Sequence, residues 1–224
     1  MQGYFNKTLH INLSLGKIEV KTLPDELAGR FIGGSGLAAK MLYDRIDPEI
    51  PSLSKENPIF FSTGPFTGTG IPSSGRHAVV GRSPLTGYFG ESDVGGRFGT
   101  ALKKTGYDLL EVEGQAKDPV YIYISDTQVK IKSAEAIWGK DTYQTAEILN
   151  GIYGKKAKVS CIGSAGEKMV PMASIMHDGS HGRAAGRCGL GSLMGSKKLK
   201  AIVAVGNKKV SIANAEGLHR QIQN

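Results

Sequence analysis

The sequence has few cysteines, few aromatic residues and no long apolar run. Its two cysteines, Cys161 and Cys188, are too few for a disulfide framework and too far apart for a C-x-x-C metal or redox motif. No stretch approaches the roughly 18 uninterrupted apolar residues of a membrane-spanning helix, and the first eight residues lack the apolar core of a signal peptide. These absences predict a soluble protein of the reducing cytoplasm, with no membrane partner.

Net charge and glycine content further limit the kinds of ligand and fold that this protein can have. The 224 residues fit one large domain or two small ones. The 28 basic and 20 acidic residues give a net charge of +8, which suits an anionic ligand, an acidic partner or nucleic acid. Aromatic residues make up only 7% of the chain and are not interleaved with the basic ones, so we expect no nucleic-acid partner. The 31 glycines show no collagen period and indicate a folded, loop-rich protein.

The predicted secondary-structure elements occur twice in the same order. Each half opens with alternating apolar and polar residues, the pattern of a half-buried hairpin, and continues with helix-start signals and a short apolar run that predicts a buried strand. The hairpins are expected at residues 9–13 with 17–21 and 120–124 with 128–131, and the buried strands at 58–62 and 158–162. A repeat of two units favours a pseudo-twofold α+β domain over a solenoid, which needs at least about three units.

The pattern G-R-x-G is the closest match between the two halves. It stands at residues 96–99 and 186–189, which are 90 residues apart. A segment able to form a helix and then an apolar strand ending in glycine follow each copy. We therefore expect an internally duplicated domain with two β-sheets and crossing helices, its repeats spanning residues 1–115 and 116–211. Residues 212–224 are interpreted as the start of a helix that leads into further domains.

Glycine and arginine occur together in three clusters that suit an anion. Backbone N–H groups at a glycine-rich helix start favour negative charge, and the guanidinium group binds phosphate or carboxylate through two parallel hydrogen bonds. The clusters contain Arg76, Arg97, and Arg183 with Arg187. They predict a phosphate-bearing ligand held between the halves. The glycine-rich residues 34–39 lack the preceding buried strand that a dinucleotide-binding motif requires.

The sequence supplies no catalytic constellation. His77, His177 and His181 lack the spacing of a metal site and are interpreted as loop residues that form hydrogen bonds. Cys188 is interpreted as a small residue in a tightly packed position. The lysines of residues 197–200 are interpreted as a solvated helix end.

Two blocks of sequence strongly resemble hallmarks of the aldehyde ferredoxin oxidoreductase family. The first block consists of residues 64–69 (GPFTGT), 73–76 (SSGR), 82–87 (RSPLTG) and 95–108 (GGRFGTALKKTGYD), and the second of residues 183–202 (RAAGRCGLGSLMGSKKLKAI). These blocks are specific in combination. The likeness spans nearly the whole chain, and it covers only the N-terminal domain of that family.

The resemblance implies a duplicated α+β domain that binds two pyranopterin dithiolene molecules, whose four sulfur atoms hold one tungsten or molybdenum atom. A magnesium ion would bridge the pterin phosphates through backbone carbonyl groups at Asp93 and Ala184. The residues that the resemblance places at the cofactor are Arg76, Asp93, Val94, Gly95, Arg183, Ala184, Gly186 and Arg187. The family often has Asn at position 93 and Gly at position 188, where this chain has Asp and Cys.

The family's chemistry implies oxidation of an aldehyde with water to a carboxylic acid, with two electrons passing through tungsten and a [4Fe–4S] cluster to ferredoxin. The cluster cysteines and the acid–base residues of that family lie in later domains. We therefore expect this chain to be a piece of a longer enzyme, inactive alone and without a catalytic residue of its own. Family members often form homodimers. Two alternatives stay open: a reductase of the same family that acts on an aromatic acyl thioester, and a non-catalytic module that binds phosphate-bearing ligands or nucleic acid.

Overall fold

A computed structural model describes residues 1–223 and contains two six-stranded β-sheets, one from each repeat. The elements of the first repeat are β1 (Lys7–Asn12), β2 (Lys17–Thr22), α1 (Asp25–Phe31), α2 (Gly34–Tyr43), β3 (Ile59–Thr63), β4 (His77–Arg82), β5 (Phe89–Val94), α3 (Phe98–Lys104) and β6 (Leu109–Glu113). Those of the second are β7 (Val120–Ser125), β8 (Val129–Ser133), α4 (Thr142–Tyr153), β9 (Lys158–Cys161), α5 (Ser164–Glu167), β10 (Ile175–His177), β11 (Arg183–Ala185), α6 (Leu190–Ser196) and β12 (Leu199–Val205). A further helix, α7 (Ala215–Gln223), follows.

The two sheets share one strand order. The first sheet runs β2-β1-β6-β3-β4-β5, and the second runs β8-β7-β12-β9-β10-β11. The parallel pairs, β1 with β6 and β7 with β12, occupy the same position in the two sheets, and the other pairings are antiparallel. This correspondence confirms the internally duplicated α+β fold.

Capping residues explain where helix α4 begins and ends. The Asp141 carboxylate caps α4 by accepting a hydrogen bond from the Gln144 backbone N–H at 2.8 Å, and Gly154 ends that helix with a φ of 84°. In the first repeat, α2 begins at Gly34 with no side-chain cap. The element before α2 is helix α1 rather than a strand, so a dinucleotide-binding motif is excluded there, as expected.

Apolar residues form a central core between the sheets and one core on each outer face. The central core combines the two repeats, because Val79 and Phe98 of the first pack with Ile175 and Leu193 of the second. Helices α1 and α2 cover the outer face of the first sheet, and α4 covers the outer face of the second. Since α3 and α6 also contribute to the central core, separating the repeats would expose it.

The two outer lysines of residues 197–200 are buried, so the prediction of a solvated helix end is wrong. The Lys197 Nζ donates hydrogen bonds to the carbonyl oxygens of Lys55 and Gly114 at 3.2 and 3.4 Å, and burial lowers the pKa of this amine to about 7. Lys200 forms an ion pair with Glu167. Both lysines lie where α6 joins β12, and both find partners inside the protein.

Each repeat contains one buried lysine–carboxylate pair. In the first, the Lys103 Nζ lies 2.5 Å from the Asp108 Oδ1, and that carboxylate also accepts hydrogen bonds from the backbone N–H groups of Phe5 and Lys7 at 3.1 and 3.2 Å. In the second, the Glu167 carboxylate forms an ion pair with Lys200 and accepts a hydrogen bond from the Gly139 N–H at 3.0 Å. The charges are therefore compensated locally, within each repeat.

Helix α7 buries none of its residues against the two sheets. Among residues 1–223, no helix combines the length and the apolar character that crossing a membrane requires.

Candidate functional site

The residues expected at the ligand meet where the edge strands of the two sheets come together. Strand β5 is the last strand of the first sheet, and β11 is the corresponding edge of the second. The Arg187 N–H donates to the Ser92 Oγ at 3.3 Å, and the Ser83 Oγ donates to the Cys188 carbonyl oxygen at 2.7 Å. We call this region the β5–β11 junction.

The predicted residues come from three segments at this junction. Arg76 directly precedes β4, Asp93 and Val94 end β5 with Gly95 next in sequence, Arg183 and Ala184 begin β11, and Gly186 and Arg187 follow β11. Val94 is buried and belongs to the central core, so its side chain anchors β5 rather than facing a ligand. The side chains of Arg76, Asp93, Arg183 and Arg187 are exposed.

Close backbone contacts bring the three segments together. Gly96 has a φ of +96°, and a Cβ there would lie 2.1 Å from the Asp178 Oδ2 and 3.0 Å from the Arg183 Cγ. A Cβ on Gly75 would lie 2.7 Å from the Gly96 carbonyl oxygen. Only glycine fits at these two positions. The arginines at 76 and 183, although far apart in sequence, therefore flank the same stretch of backbone.

Asp178 is a residue of the junction that the sequence analysis did not select, and Arg97 was named there in an anion-binding cluster but not among the residues at the cofactor. Asp178 adopts the left-handed conformation, and its Oδ2 accepts a hydrogen bond from the Arg97 N–H at 2.5 Å. This contact ties the start of α3 to the second repeat. The signal for Arg97 was present, because it occupies the same place in G-R-x-G as Arg187. Nothing in the local sequence marks Asp178.

Four exposed guanidinium groups at the junction have no partner within residues 1–223. They belong to Arg76, Arg97, Arg183 and Arg187. The arginine side chains that do form salt bridges or hydrogen bonds in this part of the chain are those of Arg30, Arg45 and Arg82. Unpaired guanidinium groups on neighbouring glycine-rich segments are a donor set suited to phosphate.

Asp93 lies within β5. Burial and the neighbouring Glu91 carboxylate raise the pKa of Asp93, and Arg76 opposes this increase. No group of three or more His, Cys, Asp or Glu side chains within residues 1–223 forms a metal site. A magnesium ion at Asp93 and Ala184 would therefore depend on backbone oxygens and on oxygens of the ligand.

A cavity of about 290 Å³ adjoins the junction on the side of the first repeat. Arg76 and Asp93 line it together with Gly64 and the start of α2 at Gly33 and Gly34. Helix α2 directs its N-terminal N–H groups and the positive end of its dipole toward this side. The cavity therefore extends the anion-binding character of the junction.

His77 and His177 lie in strands of the buried interface, so the interpretation of both as hydrogen-bonding loop residues is wrong. Their ring centroids are 5.0 Å apart, and each ring also packs against Phe98 at 5.4 and 5.3 Å. No ring nitrogen of either has a hydrogen-bond partner. Burial lowers the pKa of His77 to about 3 and that of His177 well below its usual value, so both are neutral at pH 7.

The surroundings of Cys188 support its interpretation as a small residue in a tightly packed position. It is half-buried with a φ of +63°, and its Sγ donates to the Glu91 carbonyl oxygen at 3.5 Å. A Cβ added at Gly90 would lie 3.1 Å from the Cys188 Cβ. The position therefore couples β5 to the segment after β11 by close packing.

Comparison with known families accounts for this combination of fold and junction. The sequence profile of the aldehyde ferredoxin oxidoreductase N-terminal domain matches residues 8–206. The chain therefore belongs to the aldehyde ferredoxin oxidoreductase family, a family of oxidoreductases, and contains its N-terminal domain.

Individual relatives support the same assignment. The tungsten-containing aldehyde ferredoxin oxidoreductase of Pyrococcus furiosus is 46% identical over 217 residues, which cover 96% of this chain and 36% of that protein. The protein of the same name from Thermococcus kodakarensis is 45% identical, with the same coverage of 96% and 36%. The WOR-like subunit of an aliphatic sulfonate oxidoreductase from Pyrococcus furiosus is 33% identical and covers 92% of this chain and 35% of that subunit.

A solved structure has the same fold. The active-site complex BamBC of benzoyl coenzyme A reductase, with bound 1,5-dienoyl-CoA, matches with a TM-score of 0.92 and 35% identity. The match covers 96% of this chain and 33% of that chain. The chain thus spans about a third of the length of the relatives that it matches.

Proposed function

We propose that this chain is the cofactor-binding domain of a tungsten oxidoreductase that oxidises aldehydes to carboxylic acids and passes the electrons to ferredoxin. The observation that carries the proposal is the set of four unpaired arginines at the β5–β11 junction. A bis-pyranopterin cofactor brings two phosphate groups, and the junction offers guanidinium donors from both repeats. The tungsten-containing relatives, at 45–46% identity, support tungsten rather than molybdenum as the metal.

The junction fits the proposed cofactor by its chemistry. Arg76 would bind phosphate from the first repeat, and Arg183 and Arg187 would bind it from the second. Carbonyl oxygens of Asp93 and Ala184 would hold magnesium, while Gly95 and Gly186 leave room beside the pterins. When bound, the tungsten cofactor supplies oxygen transfer and electron transfer, and this domain contributes position and charge compensation.

The remaining parts of the reaction are assigned to the rest of a longer protein. The two cysteines of this chain cannot hold a [4Fe–4S] cluster, which requires four thiolates. The substrate pocket, the contact with ferredoxin and a homodimer contact are likewise proposed to lie beyond this domain. We place the whole protein in the cytoplasm.

A second candidate is a reductase of the same family that acts on an aromatic acyl thioester. The likeness to the benzoyl coenzyme A reductase complex favours it, because the fold matches with a TM-score of 0.92. Viologen-coupled assays of the full-length protein with an aldehyde and with benzoyl-CoA separate the two. Aldehyde-dependent viologen reduction supports oxidation, and benzoyl-CoA-dependent oxidation of reduced viologen supports the alternative.

The binding site is tested by the double variant Arg76→Ala with Arg183→Ala in the full-length protein, produced in a host that makes the tungsten cofactor. Loss of two charge-assisted contacts is expected to reduce bound tungsten and pterin at least about tenfold. Metal analysis and pterin fluorescence after denaturation measure this loss. The matched control is Arg30→Ala with Arg220→Ala, two arginines away from the junction. Equal cofactor content in both double variants would remove the site assignment.

A further inference from the structure

The net charge of the protein is confined to one of its two repeats. Residues 1–115 contain 12 basic and 12 acidic side chains, whereas residues 116–211 contain 15 basic and 7 acidic ones. The excess of the second repeat equals the formal net charge of +8 of the whole chain. The cofactor proposal does not explain this difference, because its arginines come from both repeats.

Part of this excess is concentrated around two stacked tyrosines on the outer side of the second sheet. The ring centroids of Tyr123 and Tyr153 are 4.3 Å apart, and the Lys132 Nζ lies 5.9 and 5.3 Å from them. The surrounding lysines are Lys130, Lys132, Lys155 and Lys156, and we call this group the lysine face.

Strand register and chain connection place these lysines together. Lys130 lies directly across from Tyr123 in the β7–β8 pair, so the two side chains share one side of the sheet. Lys155 and Lys156 follow Tyr153 in the turn after α4. None of the four lysines forms a salt bridge with another residue in the range 1–223.

Protection of an exposed strand edge explains only part of this surface. Strand β8 is the outer edge of the second sheet, and lysines on edge strands prevent pairing with other chains. Lys155 and Lys156 lie outside β8, in a turn that needs no such protection. Their uncompensated charge therefore calls for a different explanation.

We infer that the lysine face docks an acidic surface of another protein. The face has lysines but no arginine, so it lacks the planar fork that matches phosphate groups. The two tyrosine rings stack on each other, so one face of each ring is already occupied, and the Lys132 Nζ lies 5.9 and 5.3 Å from the ring centroids. Stacking of a nucleic-acid base between these rings would require them to separate. Carboxylates of Asp and Glu, spread over a protein surface, match an array of separate ammonium charges.

The lysine face is independent of the proposed cofactor site. Strands β8 and β11 are the opposite edges of the second sheet. A partner bound at the lysine face would therefore leave the β5–β11 junction accessible, and the two proposals can fail separately.

The test measures binding of a fluorescent oligoglutamate peptide of about 20 residues to the 224-residue chain by anisotropy, at low and near-physiological salt. The variant is Lys130→Glu with Lys155→Glu and Lys156→Glu, three exposed positions. A matched control reverses the same charge in the first repeat, with Lys17→Glu, Lys21→Glu and Lys55→Glu. We expect affinity to fall at least about tenfold in the lysine-face variant and less than about twofold in the control.

Two further measurements make the outcome decisive. Arg76→Ala with Arg183→Ala is expected to lower oligoglutamate affinity much less than the lysine-face variant does. Loss of binding in that variant would locate the peptide at the junction and overturn the inference. Three other results would also overturn the inference. They are the same loss of affinity in the lysine-face variant and in the first-repeat control, no peptide binding at low salt, and tighter binding of an oligothymidylate of similar length.

Discussion

The two repeats approach the β5–β11 junction with the same topology but different regularity. The first uses strands β4 and β5, of six residues each, whereas the second uses β10 and β11, of three residues each. Between β10 and β11, Asp178 and Gly182 adopt the left-handed conformation. The irregular repeat supplies the contacts that cross the junction, including those of Asp178 and Cys188 to the regular one. A duplicated fold has thus kept one half as a platform and adapted the other for bridging.

The largest expected effect contrasts the buried ion pairs of the two repeats. Asp108→Ala leaves Lys103 without a partner and removes two backbone contacts, so it is expected to lower the free energy of unfolding by about 3–5 kcal/mol. Glu167→Ala is expected to cost less, because Glu167 is 7% exposed against 1% for Asp108. Urea unfolding of the two variants checks this order. An equal or reversed order would contradict the link between the burial of the carboxylate and the cost of removing it.

The second prediction concerns the loss of stability in acid, which involves one buried histidine from each repeat. His77 and His177 bind fewer protons in the folded protein than in the unfolded chain. Their contribution to the free energy of unfolding is therefore fully present above about pH 6.5 and is lost as the pH falls toward about 3. Each histidine contributes a slope of up to about 1.4 kcal/mol per pH unit. His77→Leu with His177→Leu is expected to flatten the slope, apart from the share of His10, whose pKa burial lowers to about 4.

Urea unfolding between pH 7 and pH 4 measures that slope. The exposed His181→Leu is the control, and it is expected to leave the slope unchanged. An unaltered slope in the double variant would mean that the interface histidines do not carry the acid sensitivity.

The smallest contrast concerns how the long helices begin. The Asp141 carboxylate caps α4, whereas α2 has no side-chain cap. Asp141→Ala is expected to cost about 1 kcal/mol of stability, read from the shift of the urea midpoint. The control Asp118→Ala removes the same charge from an exposed position of the same repeat and is expected to change little. A similar cost in the control would assign the effect to net charge rather than to the cap.

The sequence predicted the elements whose signals are local. Both hairpins, the helices after them and the buried strands β3 and β9 follow from apolar periodicity and capping residues. Strands β4, β5, β10 and β11 were missed. Strand β5 contains glycine and serine, β10 and β11 have only three residues each, and β4 and β5 gain stability by pairing with each other, as do β10 and β11. The junction was predicted through its arginines, which a motif marks.

The buried polar residues were the main failure of the sequence analysis. His77, His177, Lys197 and Lys200 each have a residue type that is usually exposed, and no local pattern reveals that strands or connections carry them inside. Their partners are remote in sequence. Lys197, for example, donates to carbonyl oxygens at positions 55 and 114.

The shared central core has an evolutionary consequence. Because residues such as Val79 and Leu193 from different repeats complete one apolar interior, a single repeat alone would expose that surface to water. A repeat separated from its partner is therefore expected to cover this surface with a second copy of itself, as a twofold homodimer. Joined in one chain, the two repeats share an interior but not a surface, because residues 116–211 hold the entire net charge and residues 1–115 are neutral.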